Sequence, residues 1–232
     1  MIKEVLEQVI SEDLAELWSV LTPDEKRMVS ENFQLHHYKK NEIIYAEGDV
    51  PENLWCLVKG KVKKWKEGIG GRSQIIRLIR PVQYFGYRAY FAEQPYVSSA
   101  SAFEQSTVGT LPLSIVETLI SQNNRVARFF IKELAHNLGK SDTKIVNLTQ
   151  KHIRGRLAEA LTVLIDNYGY EEDGATLRIY LSREDLANLS NMTTANAIRT
   201  LSAFATERLI TVDGRRIRIL NAAQLHKISR FG

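Results

Sequence analysis

Residues 181–220 contain two short helical patterns, a tight turn between them and a hairpin signal rich in arginine. Ser182 precedes an apolar series that begins at Leu186, and Asp185 follows at the spacing of a capping box, in which both side chains satisfy free amides of the first turn. Asn191 suits the bend because its short amide side chain tolerates left-handed backbone. The pattern predicts a helix, a tight turn and a second helix.

The second helical pattern has an inward and an outward face. Thr193 is its expected cap, and Ala197, Leu201 and Phe204 recur at helical spacing. The outward positions are Thr194, Ala195, Asn196 and Arg199. The major groove of B-form DNA admits one helix, whose amino-terminal side chains reach base edges. Arg199 is the strongest candidate base reader because a guanidinium can donate two hydrogen bonds to guanine, whereas Asn196 suits adenine or a phosphate.

A basic hairpin follows the second helix. Asp213-Gly214 is a strong signal for a two-residue hairpin. The cations that this wing would place beside the DNA backbone are Arg215, Arg216 and Arg218. Further predicted DNA contacts are Ser182, Thr193 and Thr194, the threonines touching phosphate or a thymine methyl group. Capped helix pairs can be simple packing units and arginines often only solvate a surface, but this order of features favours a winged helix-turn-helix that binds double-stranded DNA.

Composition agrees with a two-domain protein of the cytoplasm. The 232 residues are 44% hydrophobic, enough for a substantial core. The net charge of +4 is compatible with a nucleic-acid partner without proving one. Cys56 is the only cysteine, which excludes an intrachain disulfide and a multi-cysteine metal or iron-sulfur site within one chain. With one cysteine per chain, we expect no metal. No apolar run approaches the length of a membrane span, so we expect no membrane partner.

The pattern changes three times along the chain, which predicts an α+β fold. Helical spacing runs from Ser11 to Asn32, with a break at Thr22-Pro23. Residues 35–112 contain short β-prone runs separated by glycines, which predict an antiparallel barrel or roll. The clearest runs are residues 42–45, 54–58, 62–65 and 75–79.

A long amphipathic helix is predicted after the strands. Apolar positions alternate steps of four and three, the spacing of a coiled-coil seam: Ala127, Ile131, Leu134, Leu138, Ser141, Ile145 and Leu148. The seam could pack on the chain's own barrel, but its length and the polar Ser141 favour a homodimer interface. Three parts are predicted. Residues 1–122 form an effector-sensing β-roll domain with flanking helices, residues 123–150 form the dimerisation helix and hinge, and residues 151–232 form the winged helix-turn-helix DNA-binding domain.

This order of elements resembles the Crp/Fnr family of bacterial transcription regulators. The supporting segments are Glu47-Gly48-Asp49, residues 57–62, Phe85-Gly86, Gly155-Arg156-Leu157-Ala158 and residues 181–210. The resemblance implies a cyclic-nucleotide-binding-type β-roll whose effector reorients two recognition helices about 34 Å apart. It also implies contacts with RNA polymerase, for which the turn at 168–174 is a candidate, although its acidic residues could simply be solvated. Thr194-Ala195 replaces the family's arginine and glutamate, so we expect a different operator.

The resemblance places an effector pocket after Phe85-Gly86, but its charged residues are missing. Tyr87 stands at the family's carboxylate position and Val97 at its arginine position. Other candidate pocket residues are Arg88, Ser98, Ser99 and, on the long helix, Ser141 and Asp142. A buried anion must be paired, so we expect an effector other than cyclic AMP and leave the cofactor unknown. A different effector could occupy the same cavity, or the aromatic residues around it could form a core without any ligand, and the sequence favours neither. These residues are Tyr84, Tyr87, Tyr90 and Phe91.

Other functions fit less well. A haem sensor would need an axial ligand, for which the candidates are His36, His37, His136 and His152. A ligand-binding module that docks a protein partner would require residues 181–220 to be a scaffold. Ser182, Asp185 and His226 do not predict a hydrolase, because capping explains the first two and no nucleophile elbow precedes them. We therefore expect no enzyme activity.

Overall fold

The computed structural model describes residues 15–232, which form two compact units. The first comprises the described residues up to Lys66 together with Ile76–Gly139, and the second comprises Glu67–Ile75 and Lys140–Gly232. None of the helices in residues 15–232 combines the length and hydropathy of a membrane span.

Two helices open the described chain, α1 (Ala15–Ser19) and α2 (Pro23–Asn32). Thr22 caps α2: its hydroxyl accepts a hydrogen bond from the Glu25 amide, and the Glu25 carboxylate accepts one from the Thr22 amide at 2.7 Å. This capping box confirms the predicted restart at Thr22-Pro23. The predicted helical positions Ser11 and Leu14 lie outside the described residues.

Eight strands and one short helix build the roll. They are β1 (Gln34–Tyr38), β2 (Ile43–Tyr45), β3 (Asn53–Lys59), β4 (Val62–Glu67), β5 (Ser73–Ile79), β6 (Tyr84–Phe85), α3 (Tyr87–Phe91), β7 (Ser99–Ala102) and β8 (Ser106–Pro112). One sheet has the order β1-β8-β3-β6 and the other β2-β7-β4-β5. The pairs β1–β8, β3–β8, β3–β6, β2–β7 and β4–β7 are antiparallel. The predicted antiparallel roll is thus confirmed.

Glycine allows a close approach inside the roll at Gly86. Its φ of +89° lies in the left-handed region, and a Cβ there would lie 2.4 Å from Cδ1 of Trp55. Phe85 and Tyr87 on either side are each 3% exposed. The glycine that the sequence suggested as the start of an effector cassette is therefore required by packing against Trp55.

The roll leads into α4 (Leu113–Gln122) and then α5 (Asn124–Gln150), the predicted long helix. Val126 and Phe130 on α5 are buried. The predicted seam lies on another face: Ile131, Leu138 and Ile145 are 65%, 63% and 61% exposed. These three residues are therefore not buried against the chain's own roll. Of the other seam residues, Ser141 is exposed and Ala127, Leu134 and Leu148 are partly buried.

The carboxyl-terminal elements form a winged helix-turn-helix. They are α6 (Ile153–Tyr168), α7 (Arg183–Leu189), α8 (Thr194–Thr206), β9 (Ile210–Asp213), β10 (Arg216–Ile219) and α9 (Ala222–Phe231). Leu161, Leu186 and Phe204, from α6, α7 and α8, are each 0% exposed. A common apolar core therefore fixes the pair α7–α8 on α6.

Candidate nucleic-acid interface

Side-chain caps begin both helices of the helix-turn-helix, as the sequence predicts. The Ser182 hydroxyl accepts from the Asp185 amide at 2.9 Å and donates to the Asp185 carboxylate at 2.7 Å. The Thr193 hydroxyl accepts from the Asn196 amide at 3.2 Å and starts α8. Asn191 lies between the helices with φ of +51°, which confirms the predicted left-handed turn. Local chemistry alone thus defines where both helices begin.

The outward face of α8 is open at its amino-terminal end. Thr194, Ala195 and Arg199 are exposed and Asn196 is partly buried. The Arg199 guanidinium donates to the Asn196 side-chain oxygen, one turn earlier on the same face. This bond holds the guanidinium along the helix face and leaves further N–H groups available, since a guanidinium carries five. The predicted separation of inward and outward residues on α8 is confirmed.

The hairpin after α8 is the predicted wing, and its turn lies one residue later than Asp213-Gly214. Asp213 pairs with Arg216 at the end of the ladder, so Gly214 and Arg215 form the loop. Gly214 has φ of +55°, as a two-residue hairpin loop requires. The segment before α7 joins this hairpin, because the Leu177 amide donates to the Ile217 carbonyl at 2.9 Å. Arg215 therefore stands at the exposed tip.

Two of the three wing arginines contact residues that precede α7 in the chain. Arg218 lies 3.4 Å from the Asp173 carboxylate. Hydrogen bonds from the Thr176 hydroxyl and from the Thr176 and Ala175 amides lower the pKa of Asp173 to about 2, so its charge persists at neutral pH. The guanidinium of Arg216 lies 5.7 Å from the centre of the Tyr180 ring. Arg215 differs from Arg216 and Arg218 because it lies at the tip of the hairpin.

Two arginines that sequence reasoning missed position these elements. Arg183, at the start of α7, donates to the Gly214 carbonyl at 2.8 Å and so ties the wing loop to the helix pair. Arg154, at the start of α6, pairs with Glu207 just after α8. Neither belongs to a local motif, and only their contacts with distant chain segments reveal them.

The predicted effector residues are divided between buried and exposed positions. Ser98 and Ser99 are 3% and 7% exposed, and the Ser99 hydroxyl accepts from the Glu47 amide at 2.9 Å. Val97 is 40% exposed and Arg88 is also exposed. On α5, Ser141 and Asp142 are both exposed.

The predicted aromatic group is divided as well. Tyr84 and Tyr87 are 5% and 3% exposed and pack in the core, where burial raises the pKa of Tyr87 to about 12. Tyr90 and Phe91 instead line an open cleft of about 560 Å³ together with Pro51. The four aromatic residues therefore do not line one cavity.

The histidines considered as haem ligands include two on β1. The ring nitrogens of His36 and His37 lie 3.1 Å from the hydroxyls of Thr110 and Thr107, respectively, on β8. Cys56 is 1% exposed in the core. In the part of the chain that the structure describes, no group of three or more His, Cys, Asp or Glu residues is arranged to hold a metal ion.

Comparison with known proteins covers both units. Residues 35–123 match the model of the cyclic nucleotide-binding domain, and residues 155–228 match that of the Crp-like helix-turn-helix domain. The cyclic AMP receptor protein of Thermus thermophilus is 26% identical over 216 residues, which cover 93% of this chain and 97% of that protein. A CRP-like cAMP-activated global transcriptional regulator of Mycobacterium tuberculosis is 22% identical over 218 residues, again 93% and 97% of the two chains.

The fold is shared with a solved structure. The structure of FixK2 from Bradyrhizobium japonicum has a TM-score of 0.76 at 24% identity, over 84% of this chain and 96% of that one. The relatives are transcription regulators and not enzymes. With a roll and a winged helix-turn-helix in the expected order and family models matched in both, the chain belongs to the Crp/Fnr family of DNA-binding transcription regulators.

Proposed function

We propose that the protein is a homodimeric, sequence-specific regulator of transcription in which α8 is the recognition helix of each protomer. The observation that carries this is the exposed amino-terminal half of α8, with Arg199 aligned along it by Asn196. A helix presented in this way enters the major groove with its first turns against base edges. Arg199 then reads a guanine, and Thr193, Thr194 and the α7 cap Ser182 lie near the phosphates or a thymine methyl group.

The wing supplies contacts to the DNA backbone. Arg215 at its tip meets phosphate, and no described carboxylate forms an ion pair with it, whereas Arg218 is paired with Asp173. Phosphate contacts position a protein and base contacts specify sequence. We therefore assign orientation and salt-dependent affinity to the wing and base preference to α8.

The exposed seam on α5 is the proposed dimer interface. Ile131, Leu138 and Ile145 follow one another at seven-residue spacing and are each more than 60% exposed in the single chain. Seven-residue apolar spacing is what a left-handed helix pair buries. Two protomers joined in this way present two recognition helices to successive major grooves, about 34 Å apart.

An effector other than cyclic AMP controls this regulator in our proposal. Two of the relatives carry cyclic AMP in their names. In this chain, a buried Tyr87 stands where the resemblance places a carboxylate, and the largely exposed, uncharged Val97 stands where it places an arginine. Cyclic AMP would thus lack both its charged partners. RNA polymerase is the proposed protein partner, with the turn at 168–174 as one candidate contact.

Selection of bound genomic fragments, followed by electrophoretic shift on the selected duplex, tests the proposal. We expect a dimer in sedimentation, one preferred duplex sequence, and binding that weakens with salt as phosphate contacts are lost. A protein that stays monomeric and shows no preference among duplexes, with and without cell extract, would contradict it. Addition of cyclic AMP should leave the shift unchanged.

A further inference from the structure

The sheet β2-β7-β4-β5 carries an unusual row of polar groups on its inner face. Tyr45 pairs with Ala100 of β7, and Ala100 pairs on its other side with Lys64 of β4. Residues directly opposite each other in an antiparallel sheet project from the same face. Tyr45 and Lys64 therefore flank Ala100, which is 0% exposed.

Strand alternation shows that this face is the interior of the roll. Val62, two residues before Lys64 on β4, is 0% exposed and packs in the same core cluster as Tyr45 and Ala100. Side chains two apart on a strand share a face. Lys64 thus extends from an apolar core position, although its ammonium group carries a charge.

Arg77 on the neighbouring strand β5 lies on the same side. Ile75 and Ile79, two residues before and after it, are 1% and 0% exposed. The Arg77 guanidinium donates to the Asn137 side-chain oxygen at 2.9 Å, and the Asn137 amide group donates to the Tyr87 hydroxyl at 3.2 Å. A neutral amide therefore orients this guanidinium without compensating its charge.

Lys64 lies near two positive charges. Burial, with the positive charges of Arg77 and Arg88, lowers the pKa of Lys64 to about 8. Among the described carboxylates, none is recorded in an ion pair with Lys64 or Arg77, and the carboxylate of Glu133 acts on Tyr87 instead. Grouping cations without an anion in a partly buried place costs free energy, which a bound anion would recover.

The hydroxyl of Tyr45 is an independent sign of a ligand. Tyr45 is only 5% exposed, and its hydroxyl has no hydrogen-bond partner among residues 15–232. The charges of Arg88 and Arg77 both act on it, so it faces the same cluster. A buried hydroxyl without a partner costs free energy unless something accepts its hydrogen bond.

We propose that the interior of the roll binds a small oxyanion between Lys64 and Arg77, with the Tyr45 hydroxyl as a third donor. An ammonium, a guanidinium and a phenol together match the acceptor oxygens of a phosphate or a carboxylate group. This inference rests on the proposed function in taking the oxyanion as the effector that alters DNA affinity. It replaces the site expected from sequence, which centred on Tyr87 and Val97.

Calorimetric titration of the full-length protein with inorganic phosphate and, separately, with succinate tests the site. The two arms distinguish a phosphate from a dicarboxylate ligand, and sodium chloride at equal ionic strength measures the effect of salt alone. We expect one of the two to bind, and Lys64→Met and Arg77→Met each to weaken that binding about ten-fold or more, as loss of a charged hydrogen bond implies. Failure of both anions to bind the wild type would overturn the inference.

Lys63→Met is the matched control, since it removes the same charge one residue away from the opposite face of β4. The variant should bind the anion as the wild type does, and equal weakening by Lys63→Met and Lys64→Met would refute the site. In chloride, Lys64→Met should melt no lower than the wild type, because the variant removes an unpaired charge from the interior. A lower melting temperature would contradict the statement that the charge of Lys64 is unpaired. In that case, Arg77→Met still tests anion binding.

Electrophoretic shift on the selected duplex separates this inference from the proposed function. The oxyanion should change the DNA affinity of the wild type and leave that of Lys64→Met unchanged. If the protein binds the duplex but neither anion, the oxyanion site is contradicted and the proposed function is not. Anion binding without any duplex preference would leave the site standing and contradict the proposed regulator.

Discussion

The guanidinium group of Arg154 forms two hydrogen bonds with the carboxylate of Glu207, the residue that caps the end of α8. The same guanidinium lies 4.8 Å from the centre of the Phe204 ring, one turn earlier. Charge and stacking therefore fasten the carboxyl-terminal end of α8 to the start of α6. This contact fixes the angle of a helix whose opposite end is free to meet DNA.

Replacement of Glu207 by glutamine should weaken this contact in a pH-dependent way. The hydrogen bonds from Arg154 lower the pKa of Glu207, so the stabilisation is complete above the ordinary value of 4.5 and is lost as the pH falls through the lowered pKa. Because both side chains are about 40% exposed, we expect only about 0.5 to 1 kcal/mol at neutral pH.

Urea unfolding of the wild type and Glu207→Gln at a series of pH values measures this difference. The two curves should converge in acid. A difference that persists unchanged well below pH 4.5 would show that the carboxylate charge is not its source.

Arg199→Ala and Arg215→Ala should affect DNA binding differently. Loss of a bidentate contact to guanine costs about 1 to 3 kcal/mol and relaxes preference at one base pair. Loss of a phosphate contact weakens binding to all sequences alike and lowers the salt slope by about one. Competition shifts with duplexes altered at single positions measure both effects. Equal weakening on every duplex by Arg199→Ala would exclude base reading by this residue.

Leu138→Glu should dissociate the dimer without unfolding the protomer. Leu138 is 63% exposed in the single chain, so the carboxylate is solvated in a monomer and would be buried and unpaired in the dimer. We expect the dissociation constant to rise about ten-fold or more, measured by analytical ultracentrifugation.

His136→Glu is the control for this prediction. It introduces the same residue as Leu138→Glu, but at an exposed position on the opposite side of α5. It should leave the association state unchanged. Dissociation by both variants to the same degree would mean that added negative charge, and not the seam, decides assembly.

Gly109→Ala should destabilise the roll through a single contact. A Cβ at Gly109 would lie 2.0 Å from Cζ of the buried Phe33, which neither residue can accommodate without a shift. Overpacking of this kind costs about 1 to 3 kcal/mol. Thermal unfolding should therefore show a lower melting temperature for Gly109→Ala.

Two further variants test the cause. Phe33→Leu shortens the opposing side chain, so the double variant with Gly109→Ala should lose less stability than the sum of the single variants. Gly139→Ala on α5, where a Cβ meets nothing within 4 Å, should instead stabilise by about 0.5 to 1 kcal/mol. Strict additivity of Gly109→Ala and Phe33→Leu would rule out the proposed clash.

The DNA-binding end of the chain was predictable because its signals are local. Ser182 and Thr193 cap helices through amides three residues away, and Asn191 adopts the left-handed turn through its own short side chain. The roll was predictable as a class, since alternating runs and glycines indicate short antiparallel strands. Alternation could also have shown that Lys64 shares the face of Val62, but a single strand cannot show which charges lie opposite.

By itself, the sequence determined where helices begin, which face of α8 is apolar, and that strands precede a long helix, because each depends on residues within about one turn or one strand. Only the tertiary structure decided that Tyr45, Lys64 and Arg77 gather on one inner face, and that Arg154 meets Glu207 some fifty residues along the chain. Strand order and core packing determine these contacts. Both are collective properties of the whole chain and cannot be deduced from any one segment.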